Sequence, residues 1–273
     1  MEHIDRQNTR TPEKRICEGH FAKTYKRNEE GRFVVSLPTK KEQLRKLGDS
    51  RYLAIQQLKN LKRKFARQPQ LKEDYMKFMR KYLNLGHMRE VPENSARWNI
   101  QPQYYMPHHC VIKESSATTK LRVVFNASSK TTTGILLNDA LMAGPVLQQD
   151  LFSILLRFRI FRFVMTAYIA KMYKQVLVEE DQVALQRIVW REEIIEAIKT
   201  YEMLTVTYGT IPASFSVTKS MKQLAKLEAD QFPIGALIAL RDFYIDNLLS
   251  GADSLKEALI IRDQVAALLL SGE

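Results

Sequence analysis

The chain of 273 residues reads as an α+β protein with a mostly antiparallel sheet, preceded by a basic helical segment. Three observations predict this. In residues 163–169, Val164, Thr166 and Tyr168 alternate with Phe163, Met165, Ala167 and Ile169, the period of a strand buried on at least one face. In residues 243–249, Phe243, Tyr244 and Ile245 run into Asp246-Asn247 and return through Leu248 and Leu249. Apolar arms around Asp-Asn predict a hairpin, because both residues tolerate the left-handed backbone of a two-residue turn. Helical-period stretches near 150–160, 214–229 and 254–270 separate such segments, and strands mixed with helices in this order give an α+β pattern.

The remaining elements follow in chain order. Residues 1–30 are polar and without periodicity and read as a linker or disordered segment. RFVVSLP (32–38) reads as a strand. A helix from about 49 to 67 shows Leu53, Ile55, Leu58, Leu61 and Phe65 at roughly helical spacing, Gln68-Pro69 breaks it, and a second helix runs from Gln70 to about Leu85 before Gly86. Further strands are predicted near 109–113, 121–126, 173–178, 186–190, 203–208 and 241–250, and Ser254 with Glu257 forms a capping box for the last helix. The chain thus divides into 1–30, a basic helical segment over 31–100, and 101–273.

Charge is unevenly spread. Residues 1–100 hold 24 Lys or Arg against 12 Asp or Glu, whereas residues 101–273 hold 18 of each, so the whole excess of +12 lies in the first part. Its densest patch is Lys59, Lys62, Arg63, Lys64 and Arg67, a helix face suited to a phosphate backbone or simply solvated. Two cysteines, Cys17 and Cys110, make no disulfide framework and point to a reducing, cytoplasmic compartment, with the nucleus also open. His108-His109-Cys110 is a poor metal set, because neighbours in a strand face opposite ways. Arg157, Arg159 and Arg162 interrupt the apolar run 151–165, so no membrane partner is expected.

A series of short segments adds a second line of argument: GRFVVSLP (31–38), LGDSR (47–51), LNLGHM (83–88), KLRVVFNASS (120–129), LLNDALMAG (136–144), DLFSILLRF (150–158), KMY (171–173), TVTYGT (205–210) and FYIDNLLSGADS (243–254). In this order, over residues 17–273, they resemble the reverse transcriptase domain of Bel-Pao type long-terminal-repeat retrotransposons. The resemblance implies the fingers and part of the palm of a right-hand polymerase. It also implies a Pol polyprotein origin, RNA or DNA template-primer and dNTP as partners, and Mg2+ or Mn2+ as cofactor. Family members continue past this point with primer-holding strands, a thumb, a ribonuclease H domain and an integrase. The expectation for the chain as given is therefore weakened primer positioning, and self-association through an open sheet edge.

The family's two-metal chemistry needs an Asp in the strand matching TAYIAKMY and both acids of a Tyr-x-Asp-Asp turn. By resemblance these positions are Tyr168, Asp246 and Asn247, so one carboxylate of three is retained, with Asp246 as the remaining metal ligand. A phenol is neutral at pH 7 and Asn offers only a weak carbonyl ligand. Glu179, Glu180 and Asp181 fall too far along the chain to substitute. Asn126 and Ala170 also stand where relatives carry Asp and often Glu, so four acids are thinned out of one region, the mark of decay. Carried over as nucleotide-binding residues are Arg122, for phosphates, Tyr173, beneath the sugar, and Gly209, for close backbone approach. Pro212 stands earlier than the family's proline, which predicts a different loop there. The resemblance thus implies a degenerate polymerase domain with templated addition absent or severely reduced. The rival readings are a silent nucleic-acid-binding module and a remnant with only a protein-interaction role.

Overall fold

The computed structural model describes residues 11–113 and 121–272. Lys120 and the first ten residues of the expected linker lie outside them. The chain forms two compact units with interleaved segments, one from residues up to 35, 143–177 and 214 onward, the other from 36–142 and 178–213. The chain crosses between the two units four times.

In the first unit the expected linker contains helix α1 (Pro12–Thr24), started by Thr11, whose side chain accepts from the Lys14 amide. Cys17 and Phe21 face inward, and Phe21 meets Phe215 edge-on with ring centroids 6.2 Å apart. Two buried residues four apart are enough to anchor a helix whose overall composition is polar. After it, β1 (Lys26–Arg27) and β2 (Phe33–Val35) pair antiparallel. Gly144 lies so close to the Phe215 ring that a Cβ there would overlap it, which accounts for the glycine ending LLNDALMAG.

The second unit opens with α2 (Lys41–Arg45), α3 (Arg51–Arg67) and α4 (Pro69–Asn84). The break falls at Gln68 because Pro69 fits the first turn of a new helix but disfavours helical backbone before it. On α3 the buried stripe is Ala54, Leu58, Leu61, Lys62 and Phe65, with Leu53 left exposed. Strands β3 (Met88–Val91), β4 (His108–Ile112) and β5 (Leu121–Phe125) follow, then α5 (Leu137–Ala140). In the first unit come α6 (Leu151–Ile160) and β6 (Phe163–Tyr168). A 3-10 turn at Met172–Lys174 precedes the two-residue strand β7 (Leu177–Val178), where a strand over 173–178 was expected.

Strands β8 (Arg187–Trp190) and β9 (Lys199–Met203) complete a second-unit sheet of order β3-β9-β8, and β4 pairs with β5. The strand expected at 203–208 is thus displaced to 199–203, because Thr207 and Thr210 close local turns instead. Helices α7 (Ala213–Leu227) and α8 (Pro233–Arg241), strands β10 (Phe243–Tyr244) and β11 (Asn247–Ala252), and α9 (Leu255–Leu270) finish the first unit. The capping box Ser254/Glu257 forms as read. Helix α8 was missed: Pro233 starts it, and its apolar run PIGALIALR has no clear helical face to read.

The second unit's core includes Phe65, Tyr75, His108, Phe125 and Trp190. His108 Nε2 donates to the Val189 carbonyl at 2.9 Å, which leaves Nδ1 to accept from the Tyr75 hydroxyl. Burial pushes the imidazole down to about 4, with the Val189 carbonyl opposing. Its folded pKa lies below the unfolded value, so the stability it confers is whole above pH 6.5 and is lost as pH falls toward 4. Urea unfolding between pH 7 and 4.5 is expected to show a loss on the order of 3 kcal/mol by acidic pH, absent in His108→Gln.

Candidate functional site

The first unit's sheet has order β10-β11-β6, all antiparallel. Tyr244 pairs with Asn247 across the hairpin, and Asn247 pairs with Tyr168 on β6. The Ile169 amide donates to the Asp246 carbonyl at 2.9 Å, so Tyr168, Asp246 and Asn247 meet at one end of the sheet. The turn itself differs from expectation: its two central residues are Ile245 and Asp246, and the left-handed one is Ile245, at φ 57°. A β-branched residue there is strained by roughly 1–3 kcal/mol. The register explains the displacement, because pairing Tyr244 with Asn247 and Leu248 with Ala167 sets the turn one residue earlier than the Asp-Asn pair suggests.

The exposed residues on β6 and its approach are Arg162, Val164, Thr166 and Tyr168, with Ala167 also accessible, while Phe163, Met165 and Ile169 are more covered. Helix α9 packs beside the strand, and residues 165–169, Thr166 and Tyr168 among them, line with Phe243, Leu248 and α9 a cavity of about 520 Å³. Tyr168 is 73% exposed, Asn247 is exposed and Asp246 is half-buried. Asn247 Nδ2 donates to Asp246 Oδ1 at 3.0 Å, occupying one oxygen of that carboxylate. Among the described residues no group of three or more His, Cys, Asp or Glu is placed to hold a metal ion. A divalent pair about 4 Å apart needs several rigid carboxylate oxygens, and one half-engaged carboxylate beside an amide and a phenol does not fit that requirement.

Other predicted site residues fall as follows. Tyr173 belongs to the 3-10 turn rather than a strand, and its hydroxyl lies 3.0 Å from Ser214 Oγ. Arg122 stands exposed on β5, opposite Val111, in the second unit. Gly209 is in the same unit at φ 102°, and a Cβ there would come within 2.7 Å of the Phe125 carbonyl. Asn138 holds this turn: its amide donates to the Gly209 carbonyl at 3.1 Å and to Ser128 Oγ at 2.8 Å, and its oxygen accepts from the Ile211 amide. Asn138 sits inside the quoted LLNDALMAG segment, but its role depends on Gly209 and Ile211, 71 and 73 positions away, and nothing local reveals it. Asn126 accepts from the Ser128 amide at 2.9 Å, a turn that Asn and Asp make equally well.

On α3, Lys59, Arg63, Lys64 and Arg67 are exposed, whereas Lys62 is 6% exposed and must be removed from the phosphate-facing set. Its ammonium donates to the Glu192 carbonyl at 2.7 Å and lies 4.1 Å from the Trp190 ring centroid. Burial lowers its pKa to about 8, opposed by nearby Glu193. The sequence shows five cations in nine residues, but only the packing of α3 on β8 decides which one turns inward.

The second unit also holds a charged cluster the sequence did not flag. Glu202 on β9 is fully buried, with Arg89 on one flanking strand and Arg187 on the other in register with it. It accepts from Arg187 at 3.0 Å, Arg89 at 2.9 Å and Arg97 at 2.9 Å. Burial raises its pKa, but the three arginine hydrogen bonds outweigh burial and hold it below the usual carboxylate value.

No protein-family model and no curated protein sequence matches the chain. Among solved structures, the foamy viral protease-reverse transcriptase in complex with double-stranded DNA superposes with a TM-score of 0.50 at 16% identity. The match covers 70% of this chain and 28% of that one, so the chain spans under a third of that structure's length. At that identity the likeness is one of fold: the α+β architecture with small antiparallel sheets resembles part of that structure.

Proposed function

We propose that the chain is a degenerate reverse transcriptase domain of Bel-Pao type, in which the first unit corresponds to the palm and the second to the fingers. In this reading the domain binds nucleic acid and performs little or no templated nucleotide addition. The observation that carries it is the β10-β11-β6 sheet, which sets Tyr168 and Asn247 as register partners beside Asp246, where a polymerase would hold its carboxylates. The foamy viral structure holds double-stranded DNA, and its likeness in fold supports nucleic acid as the partner class. Arg122, Tyr173 and Gly209 are proposed to serve the nucleotide, and Lys59, Arg63, Lys64 and Arg67 the phosphate backbone. Mg2+ or Mn2+, the family's cofactor, would find only Asp246 as a charged ligand in this sheet.

Primer extension on an RNA template tests the first half. The chain as given is expected to add no nucleotide above background. A Tyr168→Asp, Asn247→Asp double variant, extended with a family-derived palm end and thumb, is expected to regain incorporation that the native residues in the same frame lack. Incorporation by the native residues at the level of an intact relative would overturn the reading. Salt-dependent binding tests the second half: Arg63→Ala or Lys64→Ala is expected to reduce the slope of log affinity against log salt by about one, and Lys62→Met to leave it unchanged.

A further inference from the structure

We infer that the open face of β6 is a metal-independent site for single-stranded nucleic acid, with Tyr168 as its base-stacking platform and Arg162 as a phosphate contact. This rests on the nucleic-acid reading above and assigns that reading a second contact surface, in the first unit.

The argument begins with charge. Between Asp150 and Glu179 the chain has no acidic residue, and it carries Arg157, Arg159, Arg162, Lys171 and Lys174. Arg157 lies within 3.5 Å of Asp242 and Lys174 is half-buried, but Arg159, Arg162 and Lys171 are exposed. A carboxylate-bearing strand repels phosphates unless divalent ions neutralise it. Here the same position is a phenol and its register partner an amide, so that repulsion is gone without any ion. The one acid at this end, Asp246, has an oxygen engaged by Asn247.

Geometry supplies the rest. Arg162, Val164, Thr166 and Tyr168 occur at alternate positions and all are exposed, as one face of a strand should be. From Arg162 to Tyr168 the face extends about 20 Å, enough for several nucleotides of extended strand. Its register partners on β11 are Gly251 at Val164, Leu249 at Thr166 and Asn247 at Tyr168. Gly251 is buried beneath Phe161, so the β11 side of the face opens toward its Tyr168 end, where Leu249 adds apolar surface and Asn247 adds a hydrogen-bonding amide beside the ring. An exposed ring, an amide and a guanidinium on one open strand match what sequence-tolerant single-strand binders use: π-faces for bases and cations for backbone.

The test is fluorescence anisotropy with labelled oligo(dT) and oligo(rU) in EDTA at low salt. The native chain is expected to bind both, Tyr168→Ala to bind roughly 5- to 100-fold more weakly, and Tyr168→Phe to match the native chain. Arg162→Ala is expected to reduce the salt slope by about one. Ultraviolet cross-linking of 5-iodouracil oligonucleotides, mapped by mass spectrometry, is expected to mark Tyr168. Because Tyr168 is largely exposed, its loss does not threaten folding, and an unchanged thermal midpoint verifies that. If native binding falls with Arg63→Ala and Lys64→Ala but is indifferent to Tyr168→Ala, the nucleic-acid reading stands and this inference is overturned. If the native chain binds no oligonucleotide at all, both fail.

Discussion

Replacing Glu202 with Gln is expected to destabilise the second unit by about 3–5 kcal/mol. The carboxylate is fully buried on the central strand β9 and is the common acceptor for Arg89, Arg97 and Arg187. Arg187 is also fully buried; its Nη1 donates to the Trp98 carbonyl and to Gln103, and its Nη2, besides Glu202, donates to the Arg97 carbonyl. Removing the negative charge leaves a guanidinium away from water with only neutral acceptors, and that uncompensated charge is the source of the cost. The lowered pKa of Glu202 sets the pH window: folded below unfolded, it contributes stability above the usual carboxylate pKa and loses it as pH falls through its own. Urea unfolding of Glu202→Gln against the native chain at pH 7 measures the effect. A midpoint shift equal to that of exposed Glu42→Gln would refute the account.

Gly209→Ala is expected to cost roughly 2–4 kcal/mol. Two penalties coincide: the left-handed backbone at φ 102°, and a new Cβ 2.7 Å from the Phe125 carbonyl, a backbone atom that cannot rotate aside. Gly86 separates the two terms, because it too is left-handed, at φ 66°, yet nothing lies within 4 Å of its would-be Cβ. Gly86→Ala should therefore cost only about 1–2 kcal/mol. Equal losses at the two sites would show that the contact with Phe125 contributes nothing. The comparison also bears on function, since the left-handed backbone and the Phe125 contact already require a glycine at 209 for folding alone. A loss of nucleotide binding in Gly209→Ala would count as a binding effect only at a temperature where the variant stays folded.

The sequence by itself determined the α+β class, helices α3, α4, α6, α7 and α9 to within a few residues, and strands β4, β5, β6 and β8. These are elements whose period, caps or prolines lie within their own span, as with Pro69 after Gln68 and Ser254 before Glu257. It also singled out the three residues, Tyr168, Asp246 and Asn247, that the sheet assembles at one end. What only the tertiary structure decided depends on partners far along the chain. The turn centred on Ile245-Asp246 follows from the pairing of β11 with β6, which overrides the local preference of Asp-Asn. Lys62 turns inward because Trp190 and the Glu192 carbonyl receive it, and no spacing on α3 encodes that. Helix α1 forms where the composition is polar because Phe215, almost two hundred residues on, covers Phe21. Glu202 reads as an ordinary strand acid until β3 and β8 bring Arg89 and Arg187 to either side of it. Local sequence sets period and turn chemistry, whereas register and burial are long-range and arise only when the strands pair.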